Sequence, residues 1–231
     1  MTYTLYIANK NYSSWSLRPW VLMRELGIGF TEQLLRFGDA SAWSGFRKIS
    51  PAGKVPCLID GQERVWDSLA ITEYLHERHA GVWPAAAAAR AYARCAAAEM
   101  HSGFQELRGQ CSMSCGIRVR LHQVATGLTA DLARLSALWQ EGLQRFGGPF
   151  LAGDTFTAVD AFFAPVAFRI QTYGLELPAG AADYVQRLLQ LPSMQAWYAV
   201  ALAETFRDVE HESSVSQHGT VTQDLRAAAG P

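Results

Sequence analysis

Apolar and polar positions alternate over residues 2–8, with Tyr3, Leu5 and Ile7 on one side, and a period of two predicts a strand. A polar, turn-like stretch follows over 9–14. Leu17, Val21 and Leu22 then share one face of a helix over 15–26, which Gly27 stops. Residues 30–37 read as a second strand, and 38–54 as irregular polar chain closing on Ser50-Pro51-Ala52-Gly53. Two short apolar runs, 55–59 and 64–66, flank Asp60-Gly61. That dipeptide predicts a hairpin, because a type I′ turn needs positive φ at both central positions. Asp67-Ser68 opens a helix carrying Leu69, Ile71 and Leu75. The order β-α-β, loop, β-β-α gives a small mixed sheet with helices packed on it.

The pattern changes after a break at 79–84 that contains Gly81 and Pro84. An alanine-rich run predicts one long helix over 85–108, since Ala is the best helix former and Pro84 suits the first turn. Leu128, Leu132, Leu135, Leu138 and Trp139 mark a second long helix over 127–146. Further helices fit 158–171, 182–190 and 193–203. No strand is expected beyond Trp66, so this part is all-α, and the polar tail from His211 is expected to be mobile. The chain thus divides into 1–80, 85–210 and a tail over 211–231.

Composition narrows the function little. The 231 residues are 49% hydrophobic and 18% charged, with a formal net charge of -1. This gives no basic surface for nucleic acid or an anionic membrane. No apolar run reaches the ~20 residues of a membrane span, and residues 1–10 lack the pattern of a secretory signal, so a cytoplasmic protein is expected. Cys57, Cys95, Cys111 and Cys115 fit a reducing compartment. Cys111 and Cys115, with His101 and His122 near in sequence, lack the spacing of a zinc site, so ordinary helical cysteines and no metal are expected.

Three short stretches carry candidate chemistry. Tyr12-Ser13-Ser14-Trp15-Ser16-Leu17-Arg18 joins the first strand to the first helix. One serine there is an N-cap, or else a hydroxyl at a helix N-terminus that donates a hydrogen bond to a thiolate. Lys54-Val55-Pro56 is a plain edge proline, or a cis bond that exposes the Val55 backbone to an extended peptide. Asp67-Ser68 caps its helix, or forms a carboxylate site with Asp67 left for an ammonium group. No G-x-S-x-G elbow or Ser-His-Asp set points to a hydrolase.

Taken together, Ser13-Ser14-Trp15-Ser16-Leu17-Arg18, Val55-Pro56 and Asp67-Ser68-Leu69-Ala70-Ile71-Thr72-Glu73-Tyr74-Leu75 resemble the N-terminal domain of soluble glutathione transferases. Gly153-Asp154-Thr155-Phe156-Thr157-Ala158-Val159-Asp160 resembles that family's capping box, in which Thr157 and Asp160 satisfy each other's end-of-helix donors. The resemblance runs to about residue 205, and the serine start is similar to the zeta and related bacterial classes. It implies a thioredoxin-like α/β domain followed by an all-α helical-bundle domain, with glutathione as co-substrate and a homodimer. Ser13, with Ser14 second, would face the thiol. Val55 would pair with the cysteinyl part, with Pro56 setting its geometry. Asp67 and Ser68 would hold the γ-glutamyl end, and Lys54 the glycyl carboxylate.

Two departures from the family stand out. Ser41 occupies a position where relatives often carry a basic or amide residue, leaving Arg36, Trp43, Arg47 and Lys48 as neighbours for the glycyl end. The zeta Ser-Ser-Cys pattern is Ser13-Ser14-Trp15 here, which weakens a carry-over of maleylacetoacetate isomerisation. A small electrophile would lie between the domains near Met100, His101, Phe104, Arg108 and Met113. Met and Phe at helical spacing are more often core, whereas an arginine facing the cleft favours acidic substrates. Conjugation is the first reading, with glutathione-dependent isomerisation and a non-catalytic binding module as alternatives. A thiol-disulfide reductase would need a cysteine where Ser13 stands.

Overall fold

Tyr3, Leu5 and Ile7 point into the molecule from β1 (Tyr3–Ile7), the first element of a computed structural model that describes residues 3–37 and 42–229. α1 (Ser14–Glu25) follows and ends at Gly27, whose φ of 65° lets the amide of Ile28 return to the Met23 carbonyl. β2 (Phe30–Leu34) runs parallel to β1. α2 (Ala42–Ile49) occupies part of the stretch expected to be irregular. β3 (Cys57–Asp60) and β4 (Glu63–Val65) are antiparallel, giving the sheet order β2-β1-β3-β4. The hairpin turns on Gly61-Gln62, one residue later than the Asp60-Gly61 reading, and positive φ falls on Gly61 (61°), the type II′ arrangement. α3 (Ser68–His76) closes this half.

The predicted 85–108 helix is two helices, α4 (Ala87–Ser102) and α5 (Gln105–Gln110). Gly103 is the breaker within that run. It adopts extended backbone and Phe104 follows at φ 54°, while Arg108 donates to the freed carbonyls of His101 (3.3 Å) and Gly103 (3.4 Å). Small Ala89, Ala93, Ala96 and Ala97 let α4 pack closely on α7. Next come β5 (Ile117–Leu121), α6 (Thr126–Phe146), α7 (Ala158–Tyr173), α8 (Ala179–Leu189) and α9 (Pro192–Ala203). α7 is buried along almost its whole length. Its capping box is formed as expected, with the Asp160 carboxylate accepting from Leu151 N (3.0 Å), Thr157 N (3.0 Å) and Tyr184 Oη (2.8 Å).

Three further expectations are corrected. Strands do occur past Trp66, because β5 pairs antiparallel with β6 (Gly219–Asp224). Through Asp224 the tail from His211 is built into the fold rather than mobile. α10 (Val209–His218) starts at Asp208, whose side chain accepts from His211 N, and β6 returns the chain to β5. Cys111 and Cys115 are not helical either. Cys111 caps α5, Cys115 precedes β5, and both are buried free thiols. No group of three or more metal-ligating side chains gathers among the described residues. No helix among them is long and apolar enough to cross a membrane.

One hydrophobic cluster runs through both halves, from Leu5 and Leu58 under the sheet to Phe162, Phe163 and Trp197 in the helices. α1 is the shared element, packing on α3 and β1 on one side and on α7 and α9 on the other.

Candidate active site between the two halves

Ser13 is the N-cap residue of α1, but its hydroxyl does not cap the helix. It is 4% exposed and donates to Ser16 Oγ at 2.7 Å, while Ser16 Oγ also accepts from Ala8 N at 3.3 Å. Ser14, half-buried, begins the helix proper.

At the N-terminus of α3, Asp67 is the cap, its Oδ1 accepting from Leu69 N at 2.9 Å. The Ser68 hydroxyl beside it is fully buried, and its Oγ has no hydrogen-bond partner among the described residues. A buried hydroxyl is normally satisfied, because leaving it unpaired costs about 1–3 kcal/mol. An orphan at a helix N-terminus is therefore a place where a bound anion completes the bonding. The Val55–Pro56 peptide bond, which enters β3, is cis, and so is Trp66–Asp67. Lys54 is exposed, Val55 half-buried and Pro56 buried. Ser41, where relatives often carry a basic or amide residue, lies outside the described residues. Arg47 and Lys48 lie in the last turn of α2, and Arg64 donates to the Lys48 carbonyl at 2.8 Å.

The helical half faces these groups with His101, whose Nε2 lies 3.5 Å from Asp67 Oδ2. Burial lowers the His101 pKa, the negative Asp67 opposes this, and Arg18 and Arg108 add to the lowering. Trp15 meets the His101 ring edge-on at 5.1 Å. Two guanidinium groups lie over the Trp15 ring, Arg18 at 4.2 Å and Arg108 at 4.7 Å, and Arg18 also lies 4.8 Å from the Phe162 ring.

Arg18 is 2% exposed, and its Nε and Nη1 lack partners among the described residues. Burial brings its pKa down to about 9, and Arg108 and Arg169 push the same way against Asp67. Arg169, 6% exposed, donates to the Cys111 carbonyl and leaves its Nε unpartnered among the described residues. Burial lowers its pKa to about 10, so it stays charged. Arg18, Arg108 and Arg169 sense one another, with Asp67 as the acid acting on Arg18, and gather positive charge at this junction.

Met100, Phe104 and Met113 are 2%, 6% and 2% exposed and belong to the hydrophobic core. The structure brings together Asp67, Ser68, His101 and Arg108 from the sequence-derived set. It adds Trp15, Arg18, Phe162 and Arg169, which sequence reasoning missed as site residues. Arg18 was visible as the family's helix arginine, but nothing local marks Arg169, which sits within an otherwise apolar helix. A separate cleft of about 720 Å³ is lined by Lys10, Trp20, Glu32 and Ser193. Its Lys10 is already paired with Glu32 at 2.5 Å and sits between the Trp20 and Trp197 rings.

A mixed four-stranded β-α-β-β-α domain joined to an all-helical domain, with a helix N-terminus at the junction, defines a glutathione-transferase type of architecture. Models of the glutathione S-transferase N-terminal and C-terminal domains match residues 12–78 and 86–200 respectively. The chain belongs to the glutathione S-transferase family. It is 28% identical over 184 residues to a probable maleylacetoacetate isomerase of Caenorhabditis elegans, covering 75% of this chain and 81% of that one. It is 30% identical over 123 residues to a zeta-class glutathione S-transferase of Euphorbia esula, covering 52% of this chain and 55% of the other. Its fold is similar to that of a glutathione transferase homolog from Burkholderia GL BGR1 solved with bound glutathione. The TM-score is 0.66 at 23% identity, over 87% of this chain and 98% of that one.

Proposed function

We propose that the chain binds glutathione at the junction of its two halves, ionises the thiol beside the start of α1 and directs the thiolate at a small, negatively charged electrophile. The observation that carries the reading is the buried, unpartnered Ser68 hydroxyl next to the Asp67 carboxylate at the head of α3. The γ-glutamyl end of glutathione is an α-amino acid. Its carboxylate suits Ser68 Oγ and the free amides of the helix end, and its ammonium suits Asp67. Val55 would pair with the cysteinyl part by backbone, and Lys54 lies exposed for the glycyl carboxylate.

A free thiol titrates near ~8.5, and lowering that by about two units takes ~2.7 kcal/mol of preference for the thiolate. One charge-assisted hydrogen bond is worth about 1.5–3 kcal/mol. Ser13 is suited to give it. The Ser13–Ser16 bond joins two hydroxyls, and hydroxyl protons rotate. With Ala8 N holding one lone pair of Ser16, the Ser16 proton turns to Ser13 Oγ and the Ser13 proton is released toward the thiolate. The helix end adds to the same preference. The gathered arginine charge favours a carboxylate on the electrophile, placing its reactive carbon against the sulfur.

Isomerisation is the second reading. The relative named as a probable maleylacetoacetate isomerase and the three arginines favour it, while Trp15 in place of the zeta cysteine weighs against it. A homodimer working in the cytoplasm fits the family.

The deciding measurement is thiolate absorbance of bound glutathione against pH for wild type, Ser13→Ala and Ser14→Ala. The bound thiol is expected to titrate about two units below free glutathione, and Ser13→Ala to restore most of that shift with affinity nearly intact. Restoration by Ser14→Ala alone would move the donor to Ser14. A thiol that titrates like free glutathione in wild type would leave a binding module without the chemistry.

A further inference from the structure

Residues 9–13, which join β1 to α1 and carry Ser13, are held from the far end of the chain. Glu204, just past α9, accepts from Lys10 N (2.6 Å), Asn11 N (3.1 Å) and Asn11 Nδ2 (3.1 Å). Tyr12, 3% exposed, donates its phenol to Glu212 Oε1 on α10 at 2.7 Å and accepts from Arg226 Nη1 at 3.0 Å. Arg226, its side chain also 3% exposed, grips Glu212 (2.6 and 3.1 Å) and Asp224 (2.9 and 2.8 Å). The His211 ring stacks on Tyr12 at 4.9 Å and meets Phe37 at 5.1 Å, with its Nδ1 2.6 Å from Asp208 Oδ2.

The backbone closes the same circuit. Leu225 N donates to the Gly116 carbonyl at 2.8 Å, and Gly116 N donates to Asn11 Oδ1 at 3.1 Å. A side chain at Gly116 would run into Arg226, so the glycine is what lets the guanidinium reach Tyr12. α10, β6 and Arg226 all lie beyond residue 200, where the family match ends.

A cover that only shielded the loop from water needs no charge, since apolar side chains do that without the desolvation cost of buried ions. A planar guanidinium held by two carboxylates fixes distances and angles instead. Among the described residues, its hydrogen bond to the N-terminal half goes to the phenol next to Ser13 in the chain.

We infer that the C-terminal segment 204–226 is a positioning device for the thiol-activating loop, with Tyr12 as its handle and Arg226 as the residue that sets the handle. The inference rests on the reading that this loop presents a hydroxyl to the glutathione thiol. Tyr12 and Arg226 are positioning residues and touch no substrate. They act by fixing where the residue-13 backbone stands relative to Ser16 and the end of α1.

The test follows bound glutathione by thiolate absorbance and by affinity in Arg226→Gln, Arg226→Lys and Tyr12→Phe, beside the two serine variants. Arg226→Gln and Tyr12→Phe are each expected to raise the bound thiol pKa by about half a unit or more, a ~3-fold loss of thiolate at fixed pH, with glutathione Kd changed less than about 2-fold. Arg226→Lys, which keeps one charged donor, is expected to fall between. Tyr12→Phe and Arg226→Gln combined should do little more than either alone, because both cut the same network. A purely structural role would shift the melting temperature and leave the thiol pKa in place. Tyr12→Phe removes one oxygen and keeps the ring, so it supplies the answer if Arg226→Gln does not fold.

A folded Tyr12→Phe protein with wild-type thiol pKa, alongside a serine variant that moves it, overturns the inference alone. A wild-type bound thiol that titrates like free glutathione overturns the thiol-activation reading and this inference together. Tyr12 and Arg226 variants that move the pKa while neither serine does would make the Tyr12 phenol itself the donor and overturn the positioning role.

Discussion

Arg18 decides much at the scale of single residues. A guanidinium 2% exposed, with two nitrogens unpartnered among the described residues, rests on the faces of Trp15 and Phe162, and Asp67 acts on it by charge. Cation–aromatic contacts of this kind are worth about 2 kcal/mol or more when desolvated, less than the several kcal/mol needed to bury an ion. The balance favours an anion nearby, and Arg108, half-buried over the same indole, is the cation best placed to meet one from the cleft. Replacing Arg108 with Gln is expected to cut kcat/KM for a carboxylate-bearing electrophile about 10-fold relative to a neutral one of similar size. Parallel kinetics on the two substrates check this, and an unchanged ratio would remove Arg108 from substrate selection. Asp67, Ser68, His101 and Arg108 were legible in the sequence because each stands at a helix end or is polar in an apolar stretch. Arg169 was not, since its meaning comes from α1 packing on α7 and from the Cys111 carbonyl at the end of α5, a fact of packing rather than of neighbouring residues.

Local signals for the elements were mostly present, and the errors have identifiable physical causes. Ile117-Arg118-Val119-Arg120-Leu121 alternates cleanly, but a strand needs a partner, and its partner lies about a hundred residues further on in a segment with a weak pattern of its own. The tail followed from the same omission. Gly103 lies inside the alanine-rich run, and reading 85–108 as one unbroken helix passes over it as a stop. The capping box was fully legible, because both of its members sit within one turn.

Asp160 also makes α7 sensitive to pH. Burial lifts its pKa to about 6 despite bonds from Leu151, Thr157 and Tyr184. With the folded value above the unfolded one of 3.8, its contribution to stability is full below the unfolded value and is lost as pH rises through about 6. Asp160→Asn keeps one acceptor of two and is expected to destabilise the protein by about 2 kcal/mol near neutrality. It should also flatten the dependence of melting temperature on pH between about 4 and 6. A variant that keeps the wild-type slope would assign that slope to another group.

The molecule as a whole has two halves by sequence and one core by packing. The hydrophobic cluster that holds Leu5 and Leu58 also holds Phe162 and Trp197, with α1 between them. Separate unfolding of either half would expose α1 on one side, so heat should melt the protein in a single cooperative step. Calorimetry is expected to give equal calorimetric and van't Hoff enthalpies, and saturating glutathione to raise the whole transition rather than part of it. Two resolved peaks would mean that α1 belongs to one half only.

The sandwich around Trp15 has an optical side. An indole lying against two cations and the edge of an imidazole has excited-state neighbours able to quench and shift its emission. The chain has seven tryptophans, so the difference between wild type and Trp15→Phe isolates this one. The protein thereby carries its own fluorophore at the point where the two halves meet, and occupancy of the cleft can be followed in the native chain without a dye or a label.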